Sequence, residues 1–178
     1  MFDFNEAVEI ALRTWYPKDH ELHSNPHHPL GKLLGEWGEL LDDYMKSLYK
    51  LGYIFEPLDE LGDNWYYLRI LCSQRRLGQP YVPTKFNMPS NDIDFLISTA
   101  MFNTSEAFNS LCRGNSWSIF TLDISYTVLV KICELNDITL QQLTDGNWEK
   151  LKPGSVRGEQ WMKTRENTGY VGGKVAKR

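Results

Sequence analysis

At 178 residues the chain suits one ordinary domain, long enough to bury a real core. Its 42% hydrophobic and 24% charged content is that of a globular protein, and a net charge of −4 argues against binding nucleic-acid polymers, which takes a basic footprint. No apolar run approaches the roughly 18 residues of a membrane span, and the opening MFDFNEAVEI lacks both a basic and an apolar leader region, so the expectation is a cytoplasmic chain with no membrane partner.

In chain order, the apolar spacing predicts a first amphipathic helix over Asn5 to Tyr16, ended by Pro17. Lys18 to Pro29 reads as a loop that carries all four histidines, His20, His23, His27 and His28. A second helix runs from about Leu30 to Leu51, its apolar positions Leu33, Trp37, Leu40, Leu41, Tyr44 and Leu48 recurring at three- and four-residue steps, with Gly52 as its stop. A third begins after Pro57 and buries Leu58, Leu61, Trp65, Leu68 and Cys72. Gly78 to Ser90 holds three prolines and reads as an irregular connection. A fourth helix covers Ile93 to Leu111 and a fifth Phe120 to Leu135, although the β-branched residues of Thr121 to Val130 leave a strand open there. Asn136-Asp137 turns the chain, and Thr139 is the expected N-cap of a short helix with Leu140 and Leu143. The main domain is placed at residues 1–152. Residues 153–178 form an extension whose last ten are expected to be mobile. Cys72, Cys112 and Cys133 lie on apolar stretches with no C-x-x-C pair, so buried, reduced thiols are expected.

The chemistry concentrates in two acid pairs, Glu36-x-x-Glu39 on the second helix and Glu60-x-x-Asp63 on the third. Residues three apart share a helical face, so each pair aims two carboxylates one way. With 23 acids in 178 positions, about three such pairs arise by chance, and a solvated face is the default for any one of them. Context separates these two from the rest. Both flank apolar stripes, and glycines sit within or beside them (Gly35, Gly38, Gly62), which suggests close approach of another helix or a ligand. Convergent carboxylates repel at neutral pH unless a cation joins them, and hard divalent ions suit an all-oxygen site.

The local wording resembles the MazG-like family of all-α nucleoside triphosphate pyrophosphohydrolases, in its phage and bacterial branch. The resemblance is carried by His28-x-x-Gly31-x-x-x-x-Gly35-Glu36-x-Gly38-Glu39-Leu40, by Asp59-Glu60-Leu61-Gly62-Asp63-x-x-Tyr66-x-Leu68, and by Asn147-Trp148-Glu149-Lys150-Leu151. Asn64 stands where the family usually has an aliphatic residue, the basic aromatic end of the family is replaced by Lys152 to Arg157, and residues 78–117 show no family landmark.

The resemblance implies an all-α, MazG-like bundle of four to five helices, assembled as a homodimer or homotetramer. It implies Mg²⁺ or Mn²⁺, two or more ions per site, held by Glu36, Glu39, Glu60 and Asp63, with Glu39 (and Glu36) handling the attacking water. Asn147 and Lys150 would hold phosphates, with Lys32, Lys46 and Arg157 as weaker candidates and His28 near the base pocket. The implied reaction turns a nucleoside triphosphate into monophosphate and pyrophosphate. The expected substrate is dGTP or GTP and the setting the bacterial host cytoplasm, if phage-encoded. A pyrimidine enzyme for dUTP or dCTP, or a non-catalytic helical interaction protein, is the alternative. The histidine cluster fits no closed zinc site. Trp15, Tyr16 and Trp37 are expected in the core, with stacking on a base as the other reading. Asp43 is expected to be exposed.

Overall fold

Asp3 starts the first helix, α1 (Phe4–Thr14), its Oδ1 accepting from the backbone N–H groups of Asn5 at 2.9 Å and Glu6 at 3.2 Å. In this computed structural model, which describes residues 2–16, 21–75, 81–160, 170–171 and 174–175, there follow a 3₁₀ turn (Glu21–His23), α2 (His27–Tyr49), α3 (Leu58–Arg75), α4 (Ile93–Cys112), α5 (Phe120–Leu135) and α6 (Leu140–Leu151). The described residues are all-α apart from an antiparallel pairing of Tyr170–Val171 with Lys174–Val175. Residues 156–160 are helical as well. Among the described residues there are thus six helices of eleven residues or more, where four to five were expected. The stretch after Thr139 makes a full three-turn member, because the Thr139 side chain and the Gln142 side chain cap each other's backbone in a reciprocal capping box.

Helix α3 is the axis of the fold, packing against α1, α2, α5 and α6, while α4 covers the other side of α2 and meets α5. Between Leu61 and Cys72 every residue is buried except Asp63. A helix buried all round needs a partner for each polar group it takes inside. Trp65 Nε1 donates to Thr144 Oγ1 at 2.9 Å, tying α3 to α6. Arg69 donates to Ala7 O at 2.7 Å, to Trp65 O at 3.3 Å and to Asn147 Oδ1 at 3.4 Å. Leu58, placed by periodicity in the buried stripe, is 47% exposed, because α3 is only entering the bundle there.

Helix α2 begins three residues earlier than its apolar pattern suggests, so His27 and His28 belong to its first turn rather than to a loop. Pro29 is tolerated there because a first-turn N–H has no intrahelical partner. His28 packs against Trp15 and Tyr16, each ring centroid 5.7 Å away. His23 lies in the 3₁₀ turn, and His20, with Pro17, lies outside the described residues. At its other end α2 projects past the start of α3. Residues 50–57 run back along this overhang, turning at Gly52 (φ +79°), with the Tyr53 hydroxyl donating to the Asp43 carboxylate and the Phe55 ring edge-on to Tyr44 at 5.3 Å. Asp43 is thus half-buried and bound rather than exposed. Leu48, Tyr49, Leu51 and Ile54 on this overhang face solvent.

The segment Thr121 to Val130 is helical. Its β-branched residues are accommodated because α5 is buried against α3 and α4, so tertiary packing overrides propensity. Buried Asp123 on α5 accepts from the Tyr81 hydroxyl at 2.8 Å and from Thr84 N at 2.7 Å, which anchors the irregular stretch before α4. The part of that connection at 76–80 lies outside the described residues, as does most of the extension expected to be mobile. Cys72 and Cys133 are buried, whereas Cys112, in the last turn of α4, is exposed. No helix among the described residues is long and apolar enough to cross a membrane.

Candidate metal centre

The single gap in the burial of α3 is where the acids meet. Glu36 from the middle of α2, and Glu60 and Asp63 from the first turns of α3, each offer a carboxylate oxygen, and these three oxygens lie within 4.8 Å of one another. All three side chains are half-buried. Leu33, Trp37 and Leu40 on α2 and Leu61 and Trp65 on α3 are buried at 0% exposure, and that shared apolar seam presses the two acidic faces together. Such a cluster could hold a metal ion. The donors are all hard oxygens, and ligand oxygens around an octahedral Mg²⁺ stand roughly 3 to 4 Å apart.

The electrostatics are those of a site short of positive charge. Burial, then Asp63, Glu39 and Glu60, push the Glu36 carboxyl up to about 7, while Lys32 opposes them. Glu60 is raised by burial and then by Asp63 and Glu39. Asp63 is raised by burial against the pull of Lys150. Tyr67 forms part of the wall, its phenol held above its usual range by burial and by the neighbouring Glu36.

Glu39 departs from the expected quartet. It is exposed and supplies none of the three converging oxygens, although its charge raises both Glu36 and Glu60. The face angle explains this: Glu36 points into the α2–α3 seam, and Glu39 stands at its rim. Lys32, also exposed, lies near enough to act on Glu36. Lys46 is taken by Asp42 at 2.6 Å, and Arg157 reaches Asp59 Oδ2 at 4.0 Å.

Asn147 and Lys150 do come to the site, from α6, but neither is free. Lys150 Nζ donates to Asp63 Oδ2 and to Asp59 Oδ1, both at 2.8 Å, and its side chain is 13% exposed, so it is no solvated lysine at a helix end. Burial alone would lower its pKa; the hydrogen bonds to the two carboxylates outweigh that and raise it. Asn147 donates through Nδ2 to Asp63 Oδ1 at 3.2 Å and accepts at Oδ1 from Arg69. Between α3 and α6 these side chains line a cleft of about 270 Å³ with Gly62, Gln142 and Gly146.

Two members of this arrangement were not singled out by sequence reasoning. Asp59 reads as an ordinary first-turn acid, and only its pairing with Lys150 draws it in. Arg69 sits fully buried inside an apolar run, and burial lowers its pKa to about 9; among the described residues it has no carboxylate partner. An arginine in an otherwise buried stripe, one turn and a half from Asp63, was the signal available.

Packing decides two further points. Trp15, Tyr16 and Trp37 are core residues at 2%, 7% and 0% exposure, leaving no open face to stack on a base. The glycines do not mark close approach: an added Cβ meets nothing within 4 Å at Gly35, only Met101 Cε at 4.0 Å at Gly38, and Leu143 O at 3.9 Å at Gly62. The tighter place is Gly31, where Phe108 Cε2 would stand 3.2 Å away. No protein-family model, no curated protein and no solved structure matches the chain.

Proposed function

We propose that the protein is a divalent-metal-dependent hydrolase of nucleoside triphosphates that releases a nucleoside monophosphate and pyrophosphate. The convergence of the Glu36, Glu60 and Asp63 oxygens beside a cleft that also carries a lysine is the observation that carries this reading. The resemblance of the two acid motifs and of Asn147-x-x-Lys150 to the MazG-like enzymes supports it.

Glu36, Glu60 and Asp63 would hold Mg²⁺ or Mn²⁺, which when bound would supply positive charge for the triphosphate and lower the pKa of an attacking water. Glu39 at the rim accepts the water's proton, since it is close to the trio yet not part of it. Asn147 orients Asp63 from behind. The hydroxide oxygen bonds to phosphorus as the bridging P–O bond breaks, and the leaving phosphate keeps that electron pair. A purine substrate, dGTP or GTP, is the favoured reading, with dUTP or dCTP the alternative. Assembly as a dimer or tetramer belongs to the same reading and would give the exposed apolar side chains of the α2 overhang somewhere to go.

Those same exposed residues, with Phe95 and Phe102 on α4 at 47% and 66% exposure, favour a second reading, a non-catalytic helical interaction protein. Incubation with a panel of nucleoside triphosphates and Mg²⁺ or Mn²⁺, with products resolved chromatographically, separates the two. Monophosphate plus pyrophosphate is expected. Diphosphate plus orthophosphate, or intact substrate under every condition, defeats the enzymatic reading.

A further inference from the structure

Lys150 makes two equal contacts, one to a carboxylate of the converging trio and one to a carboxylate outside it. Its Nζ is 2.8 Å from Asp63 Oδ2 and 2.8 Å from Asp59 Oδ1. Asp59 is largely open to solvent, whereas Asp63 is mostly covered and has its other oxygen engaged by Asn147. The lysine therefore occupies the side of Asp63 that faces the cleft, and its charge answers the acids that burial forces together. We infer that Lys150 is an internal stand-in for the metal ion: a divalent cation binding at Glu36, Glu60 and Asp63 displaces the ammonium from Asp63, and the displaced lysine, still tethered by Asp59, becomes the cleft's receptor for a phosphate group.

This rests on the reading of the acid trio as a metal site and adds an order of events to it. Without metal the cleft presents Asp59 and Asp63 with their charge answered by Lys150, the one cation among the described residues that line it, so an incoming phosphate meets acids and an ammonium already engaged. With metal bound, Asp63 is satisfied by the ion, and a flexible ammonium with three donors is released a few ångströms from it. Space for the exchange exists, because the cleft of about 270 Å³ is lined by Lys150 itself and by Gly62 and Gly146, which contribute no side chain. Arg157, 4.0 Å from Asp59 Oδ2, answers part of that acid's charge while Oδ1 keeps hold of the lysine. The lysine thus competes with the metal before it serves the substrate.

The competition is measurable without turnover. The full-length wild type, Lys150→Met, Lys150→Gln and Lys150→Arg are titrated with Mn²⁺, free ion being followed by electron paramagnetic resonance, and folding of each is checked by circular dichroism. Removal of a charged hydrogen-bonded competitor tightens Mn²⁺ binding on the order of tenfold in the two neutral variants. Lys150→Arg, which keeps the charge, stays near wild type. Equal or weaker Mn²⁺ binding in the folded neutral variants overturns the inference, as does an arginine variant that tightens as much as they do, since the effect would then be local loosening. If the wild type and all three variants fail to bind Mn²⁺, the metal reading of the acid trio falls as well; binding by the wild type without the tightening removes only the role of Lys150.

Discussion

Glu36 and Asp63 come from different helices and face each other across the α2–α3 seam, and after burial it is Asp63 that does most to hold the Glu36 carboxyl up at about 7. Neither residue is unusual alone. Burial, with that juxtaposition, pushes an ordinary glutamate up to about 7, and the crowding of acids gives the protein an electrostatic reason to bind a cation.

That relationship fixes the pH dependence of stability. A carboxyl whose folded pKa lies above its unfolded value of 4.5 stabilises the fold while protonated, fully below about 4.5, and loses that contribution as pH rises through 7. Glu60 and Asp63 are shifted in the same direction. In chelator, the melting temperature should therefore fall between about pH 5 and pH 8, and excess Mg²⁺ should flatten the decline. A melting temperature that climbs across this window in chelator would contradict the arrangement of the acids.

Glu36→Gln removes one charge from the crowded trio and one oxygen donor from the metal. At pH 8 in chelator the variant should melt no lower than the wild type, and higher if repulsion dominates. Its Mn²⁺ affinity and its release of pyrophosphate should each fall by about a hundredfold or more. Calorimetry and chromatography of the same preparation check both halves.

Asn147→Leu cuts the chain that runs from Arg69 through the Asn147 amide to Asp63. Arg69 keeps its bonds to the carbonyls of Ala7 and Trp65 but loses its outlet toward the site, and Asp63 loses a donor. Denaturant unfolding should register a loss of about 1–3 kcal/mol, the usual cost of stranding buried polar partners. An unchanged midpoint would mean that the amide is not oriented as described.

Asn64 is wholly buried beside the site, its Nδ2 bonded to Glu60 O at 2.9 Å while Oδ1 finds no partner among the described residues. Asn64→Leu should gain about 1 kcal/mol in urea unfolding, because it removes an unpaired buried acceptor. A loss of stability there would point to a buried water or ligand at that oxygen.

Gly35→Ala should stabilise the protein by about 0.5–1 kcal/mol, since it lies in mid-helix with open space where a Cβ would go. If the same substitution also lowers turnover, the open space next to Glu36 is where substrate sits, and steady-state kinetics on the variant decide it.

Much of the architecture was legible because it rests on local rules. The 3.6-residue stripe of Leu33, Trp37 and Leu40, the N-cap at Thr139 and the apolar run ending at Leu135 each write one element into a short window of sequence. Helix spacing also placed Glu36 and Glu60–Asp63 on faces able to meet. What resisted reading depends on partners distant along the chain. Glu39 looks equivalent to Glu36 by spacing, yet a difference of one turn puts it at the rim. Lys150 resembles a solvated last-turn lysine until Asp59, 91 residues earlier, is seen beside it. Glycines near the acids suggested contact where the structure has space, because glycine reports backbone freedom as readily as a close neighbour.

The overhang of α2 and the irregular segment of residues 50–57 that returns along it have a practical consequence. The number of residues separating the two acid pairs reflects how far that excursion reaches, not how the carboxylates are aligned. Leu51, fully open at the tip, is therefore a natural anchoring point for a fluorescent reporter of whether the overhang is covered in an assembly. A probe there would ride on the molecule without touching the seam that brings the acids together.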